Sequence, residues 1–532
     1  MDKKKHLREL QTALTASKKE RRELTARVEN AKRASSQGLD VGDNEFFYRI
    51  ALDFRGRVYY KGSHLNPQMG DDIKVMLTFS KKKPLGISGY RWLLWGVATA
   101  AGQDKGKFAL REAWTLARLD EIRDLMVNPK ESALFAEVLK DGEPALFLQR
   151  ANELANALAL GDGIEDLYER NLAIATYETD IAIAMDATCS GLQFLSGVSR
   201  DANGGKHVNL NATAPEQTVK ADVYQAILDL TVTKYMTATD AFSQFMVNNK
   251  AHYKRRFTKK PVMTLVYSAK ENSAAEYILD ELNGSLEKGT SPFPLPESLE
   301  ERKEILKALS VLAKHTPSKA EALLEKTDDL AMYRALSHRL AKDVREACAV
   351  ELPAAMKLLD FFTQIPTAFD THNSWTTPDG LFVKQVYSAT NKIPVAYRAR
   401  LLDYETGELY SKPIAREYLY SDPDRKNSNK TKNGFAPNWV HSLDGTLVRR
   451  VVNASNFDII CIHDSFAAHP ADCNNLRDVL RQQFVRLIED KPLETLIETL
   501  NRNLNEERFQ VEPLLVDTWD PQEALQSEFL FC

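Results

Sequence analysis

The period of the apolar positions changes several times along the chain, and each change predicts a different element. Positions 7, 10, 14, 17, 21, 24, 28 and 31 keep a heptad register, apolar at Leu7, Leu10, Leu14, Leu24, Val28 and Ala31 and interrupted at Ser17 and Arg21. That spacing predicts a long amphipathic helix. From 46 to 80 the text turns β-like, with "FFYRIALDFRGRVYY" and "IKVMLTF" rich in aromatic and branched residues. Helical periodicity follows from Gly89 to about Leu160, and "LAIATYETDIAIAMD" reads as a buried strand ending on Asp186. Helical text resumes from Glu216 to Phe362, broken by the loop "GTSPFPLPES" at 289–298. Within it, 299–360 reads as a solvated helical part with no assigned role. "LFVKQVY" (381–387) predicts a strand, "SDPDRKNSNKTKNG" (421–434) a polar, basic loop, and "FDIICI" (457–462) a second short buried strand. A helix from Ala471 and a mixed tail close the chain. The class is α+β.

Composition narrows the choices. A chain of 532 residues is long enough for two to four domains. Its 43% hydrophobic and 27% charged content are those of an ordinary globular protein. With a net charge of −4, any basic surface is local. Residues 1–35 are one such place, with 11 Lys and Arg against 5 Asp and Glu. A helix there either packs on its own chain or touches nucleic acid or a partner subunit. Cys189, Cys348, Cys461, Cys473 and Cys532 form no C-x-x-C pair, which argues against a zinc site or a disulfide framework. No apolar run approaches the roughly 20 residues of a membrane span, and no signal peptide opens the chain. A reducing, cytoplasmic location is the expectation.

Two carboxylates stand at the ends of predicted strands, Asp186 after "IAIAM" and Asp464 after "FDIICIH". Taken singly, each reads as a turn or cap residue. If the two strands are neighbours, they form a carboxylate pair able to hold two Mg²⁺ ions for in-line phosphoryl displacement. A third stretch, "YKRRFTKKPVMTLVYSAKE" at 253–271, gathers six basic side chains (Lys254, Arg255, Arg256, Lys259, Lys260, Lys270) around a single Tyr267. On a continuous helix Arg255, Lys259 and Tyr267 fall within an arc of roughly 120°. Arg offers a forked donor to phosphate oxygens and Lys a mobile point charge. Pro261 restricts where that helix begins, and Thr258 is the expected N-cap. The alternative is a solvated basic loop before a core helix.

In this order the pieces resemble a family. The chain resembles the single-subunit RNA polymerases of bacteriophages and mitochondria, relatives of the family A DNA polymerases, from about residue 45 to Cys532. "DFRGRVYY" resembles the family's D-x-R-G-R-x-Y segment, "MDATCSGLQFLSGVSRD" its motif A, "RRFTKKPVMTLVYS" its motif B and "IHDSF" its motif C. "GFAPNWVHSLDG" and "SEFLFC" resemble the block before the second part of the palm and the aromatic C-terminal foot. The resemblance implies a right-hand polymerase fold. Its parts would be a thumb remnant or partner contact at 1–45, palm at 46–213 and 442–532, and fingers at 214–441.

It also implies roles residue by residue. Asp186 and Asp464, with the Ala187 carbonyl, would hold two Mg²⁺ ions. Arg255, Lys259 and Lys105 (in "AGQDKGK") would grip the triphosphate, and Tyr267 and His441 would monitor the ribose 2′-hydroxyl. Arg55, Arg57 and Tyr59 would position the template, and His463 would support the primer terminus. Where the related DNA polymerases carry a Glu that blocks the 2′-hydroxyl, this chain has Gly191. The implied activity is DNA-directed RNA synthesis from NTPs. A DNA polymerase or primase-like enzyme and a non-catalytic nucleic-acid-binding subunit are the alternatives. Two positions depart from the family's pattern: Ser268, where the motif continues with Gly, and Pro261, where a helix-continuing residue is usual. Only 52 residues precede "DFRGR". A second polypeptide supplying the N-terminal part is therefore expected, and a single-strand DNA-binding protein is a further expected partner.

Overall fold

A computed structural model of the chain describes Thr25 and residues 46–62, 65–267, 270–287, 293–312, 327–370, 372–402 and 409–532. Apart from Thr25, the expected heptad helix lies outside the described residues, as does Ser268.

Three short strands carry the centre of the larger hydrophobic core. Ser465–Ala468 lies between Ile459–Ile462 and Ile183–Asp186, antiparallel to both, with Ser465 opposite Asp186 and Ile462. Alternation along Ile183–Asp186 decides the two faces, because successive side chains point oppositely. Ile183 and Met185 are buried. At Gly96 of the Gly86–Ala100 helix a Cβ would stand 2.7 Å from Ile183 Cδ1, so the missing side chain lets helix and sheet approach closely. On the opposite face Ala184, Asp186, Ser465, Ala467, Ile460 and Ile462 line a cavity of about 280 Å³. The chain end docks on the strand's outer side, with Cys532 N–H donating to the Asp186 carbonyl at 3.3 Å.

A second, helical core lies between 223 and 351. Tyr235, Phe242, Phe257, Phe293 and Tyr333 are among its fully buried rings. Asp343, buried at its centre, accepts from Lys234 at 2.6 Å, Arg339 at 2.6 Å and Tyr235 at 2.9 Å. Three charge-assisted partners make that burial tolerable. The two cores are joined through Arg256–Leu265, hereafter the basic helix.

Several expectations are corrected. "IKVMLTF" begins in a short helix, Asp71–Lys74, not a strand. "LAIATYETDIAIAMD" holds the end of the Leu167–Ala175 helix, the two-residue strand Glu178–Thr179, and only four residues of sheet strand. Its two apolar runs, "LAIA" and "IAIAM", are each short enough to fit either element, and tertiary packing chooses. The segment 421–434 is not a loop. Leu409–Lys426 pairs with Ser388–Leu402 in a two-stranded ribbon, and Asn427 then caps the Ser428–Ala454 helix by accepting from Lys430 N–H at 3.0 Å. The helix expected from Ala471 begins at Cys473, after a 3₁₀ turn at Pro470–Asp472. The segment 299–360 is not merely solvated. Met332, Leu336, Leu340 and Val344, at steps of four, are buried along Asp329–Glu351, the stripe expected of a core helix.

Candidate active site

The sheet brings the two expected carboxylates together. Asp186 ends its strand, and Asp464 sits in the two-residue turn between Ile462 and Ser465, so the register of the central strand sets their separation. Ala187 N–H donates to the Asp464 carbonyl at 3.2 Å, which ties the two turns by backbone. His463, the first turn residue, has φ 56°. A non-glycine residue there costs on the order of 1–3 kcal/mol and persists only where its surroundings hold it. The protein crowded around the Asp186 carboxyl pushes it above its ordinary range although the residue keeps an exposed edge, and the nearby Asp464 charge adds to the rise against a hydrogen bond from Ser465. Among the described residues no group of three or more His, Cys, Asp or Glu side chains forms a closed metal cage. The pair is an open oxygen site.

The basic helix begins earlier than its sequence predicts. It spans Arg256–Leu265 with Arg255 already helical, and Thr258 is internal, its hydroxyl donating to the Tyr224 carbonyl at 2.8 Å. Thr258 is therefore not the N-cap; its hydroxyl is taken by the neighbouring Val223–Thr237 helix. Pro261 lies within the helix rather than in its first turn. Tyr267 follows the helix end in a turn, with Val266 still helical in its backbone and the Tyr267 N–H donating to the Thr264 carbonyl at 3.0 Å.

The basic side chains divide by partner. Lys260 Nζ lies 4.6 Å from the Tyr277 ring centroid, whereas Lys259 is exposed with no ion-pair partner among the described residues. Arg255 Nε donates to Asp222 Oδ2 at 2.5 Å. Lys105 reaches the same oxygen at 3.8 Å. Its loop is held there by backbone bonds from Lys107 to Thr218 and from Lys220 to Lys105, both 2.8 Å. Lys105 and Arg255, 150 positions apart, thus share one carboxylate.

Between the carboxylates and the basic helix runs a line of polar contacts. The Tyr267 and His441 rings are 4.7 Å apart, His441 Nδ1 is 2.7 Å from Arg55 Nη1, and Arg55 Nη2 donates to the Tyr59 hydroxyl at 3.4 Å. The Tyr59 ring is 5.0 Å from that of His463, the neighbour of Asp464. Burial, with the Arg57 and Arg55 charges, depresses His441 to about 2, so the ring is neutral. Its Nδ1 accepts from Arg55, which leaves the proton on Nε2 as a donor. Burial pushes the Tyr267 hydroxyl up to about 12, so it keeps its proton.

Arg55 and Arg57 are both engaged inside the protein. Arg55 is held by Asp53 through Nε at 2.8 Å, and Arg57 Nε donates to Asp444 at 2.7 Å. Asp444, buried, rises to about 6 against the pull of Arg57. Gly191 is buried, and a Cβ there would stand 2.7 Å from Val266 Cγ1. The space at this glycine is taken by the residue before Tyr267, a close approach that motif spacing does not reveal. Asp53, Asp222 and Asp444 were also missed as partners. Asp222 carries a visible signal, an Asp immediately before the "VYQAIL" helical run, but that signal reports a cap and not its arginine.

Comparison with known proteins adds an independent finding. The profile of the family described as DNA-dependent RNA polymerase matches residues 83–525. The chain is 30% identical over 461 residues to the DNA-directed RNA polymerase of Pseudomonas phage phiKMV, covering 83% of this chain and 47% of that protein. It is 28% identical to T7 RNA polymerase of Escherichia phage T7, over 90% of this chain and 52% of the relative. To DNA-directed RNA polymerase 2, chloroplastic/mitochondrial, of Arabidopsis thaliana it is 26% identical, over 92% and 43%. The chain spans about half the length of these relatives. No helix among the described residues is long and apolar enough to cross a membrane.

Proposed function

The chain belongs to the phage and mitochondrial DNA-dependent RNA polymerase family, and on that premise we propose that it adds NTPs to the 3′ end of an RNA on a DNA template. The three-stranded sheet is then the palm of a right-hand polymerase and the second, helical core its fingers. The observation that carries this reading is the convergence of Asp186, at the end of one strand, and Asp464, in the turn that leads into its neighbour, beneath a line of contacts that runs to Tyr267.

The carboxylate pair suits Mg²⁺. Its donors are hard oxygens in an open site, and crowding by the protein with mutual repulsion raises Asp186, a condition that a bound cation relieves. Asp186 and Asp464, with the Ala187 carbonyl beside them, would be the ligands. Two Mg²⁺ ions held there would lower the pKa of the attacking 3′-hydroxyl and offset charge on the departing pyrophosphate.

The remaining work falls to this chain's own side chains. Lys259 and the terminal nitrogens of Arg255, with Lys105, bind the triphosphate oxygens. Tyr267 and His441 offer two uncharged polar groups to the ribose 2′-hydroxyl. A site built on such hydrogen bonds rejects the sugar that lacks the oxygen, because its polar groups are then left unpaired. Arg55 fixes the His441 tautomer, and Tyr59 and His463 carry the line to the primer terminus.

The test is extension by the 532-residue chain on a preassembled RNA–DNA scaffold with Mg²⁺, comparing NTPs with dNTPs. Extension with NTPs well above dNTPs is expected. Preference for dNTPs would move the chain to DNA synthesis, and no extension with either would overturn the catalytic reading.

A further inference from the structure

Asp222 stands where three elements meet, and none of the roles above uses it. It precedes the Val223–Thr237 helix and caps it, Oδ1 accepting from Tyr224 N–H at 3.1 Å and Gln225 N–H at 3.2 Å. Its other oxygen accepts from Arg255 Nε at 2.5 Å and lies 3.8 Å from Lys105 Nζ. The Arg255 guanidinium carbon is 4.9 Å from the Tyr224 ring centroid. Thr258, one turn along the basic helix, is fastened to the Tyr224 carbonyl at 2.8 Å.

The way Arg255 is held decides what it can do. A guanidinium has five N–H donors in a rigid fork. Here the inner Nε–H is taken by Asp222 and one face lies toward Tyr224. Among the described residues neither Nη1 nor Nη2 has a hydrogen-bond partner, so the outer fork is presented intact. A carboxylate between Arg255 and Lys105 also offsets their mutual repulsion at close range. Because Asp222 is anchored by two backbone N–H groups, its position is set by the helix start and not by its own rotamer.

We propose that Asp222 is a positioning residue for the triphosphate grip: it holds Arg255 by Nε and keeps Lys105 beside it, so that both cations are in place when the nucleotide arrives. This rests on the polymerase reading. Preorganising a charged donor lowers the cost of binding without touching the reacting atoms. Its loss is therefore expected in KM, with kcat little changed.

The experiment measures KM and kcat for single-NTP addition on the preassembled scaffold, with Tm, for the full chain. Wild type, Asp222→Asn, Asp222→Ala, Arg255→Ala and the double variant Asp222→Asn/Arg255→Ala are compared. Asn caps a helix about as well as Asp, so Asp222→Asn should keep its Tm while KM rises about five- to twentyfold and kcat stays within about twofold. Asp222→Ala should show the same KM rise with a lower Tm. In the Arg255→Ala background, Asp222→Asn should raise KM by clearly less than it does in wild type, the remainder being its hold on Lys105. An Asp222→Asn enzyme with unchanged or lower KM overturns the inference and leaves the polymerase reading standing. So does a KM rise of equal size with Arg255 already removed. A wild-type chain that extends with no nucleotide overturns both.

Discussion

The two sides of the candidate site are built in opposite ways. The carboxylate side stands on backbone: Asp186 and Asp464 lie at strand ends whose register is set by main-chain pairing and by the Ala187 bond to the Asp464 carbonyl. The basic side stands on side chains. Arg255 and Lys105 reach Asp222 through long, rotatable stems, and Lys259 is exposed beside them. Charges that must keep a fixed mutual distance are carried on short side chains at rigid positions. Charges that must follow a ligand with many rotatable bonds are carried on long ones. The first side should therefore fail abruptly when altered, and the second by degrees.

The sharpest way to break that contrast is Asp464→Asn, which preserves shape and removes one charge. We expect extension to fall by about a thousandfold or more while scaffold binding stays near wild type. Substantial residual turnover would mean that the pair does not act as a unit.

Next comes the support beside the line of contacts from His463 to Tyr267. Asp444 and Arg57 form an ion pair with side chains only 2% and 14% exposed. Asp444→Ala leaves Arg57 buried without its partner, at an expected cost of about 3–5 kcal/mol, read by denaturant unfolding. The pair also gives a pH signature. Because burial raises Asp444 to about 6, above the ordinary 3.9 or so of an unfolded Asp, the folded state holds a proton that the unfolded state has lost. Its stabilising contribution is full below about pH 4 and disappears as pH rises through 6. Subtracting the pH profile of Asp444→Asn from that of wild type should isolate that slope. A difference that rises with pH across the window would refute the assignment.

Gly191→Ala tests the seam between the two sides. The added methyl would meet Val266 Cγ1 at 2.7 Å, inside a buried contact. Overpacking of this kind costs about 1–3 kcal/mol. Since Val266 immediately precedes Tyr267, ribose selection should shift together with Tm. A variant that loses stability alone would show that the seam does not transmit to Tyr267.

How much of this was legible in the sequence follows the same division. Asp186 and Asp464 could be found because an apolar run ending in an acid reads the same in sequence and in space. The stripe of Met332, Leu336, Leu340 and Val344 was hidden among charges, and its burial depends on the facing helices. The ribbon strand Leu409–Lys426 was unreadable for a related reason. Its residues are mostly exposed, with Tyr418 59% and Leu419 64% accessible, so no buried face imposes an alternation. Partners such as Asp222 for Arg255 and Asp444 for Arg57 are set by tertiary approach across tens to hundreds of residues, and no local spacing encodes them.

The smallest expected effect concerns selectivity. Tyr267→Phe removes one hydroxyl beside His441 and leaves the ring contact in place. Fold and NTP turnover should change little, while the NTP/dNTP preference falls by about tenfold, the scale of one neutral hydrogen bond. The pH dependence of that preference separates this pair from the charged sides. With Tyr267 near 12 and His441 near 2, neither group changes protonation between pH 6 and 9, as judged by those values. An ordinary histidine would gain its charge near 6.5 and turn Nδ1 from acceptor to donor, breaking its contact with Arg55. The preference should therefore stay flat across that range even as kcat changes. A step near pH 6.5 would show that His441 titrates freely and that Arg55 does not hold it neutral.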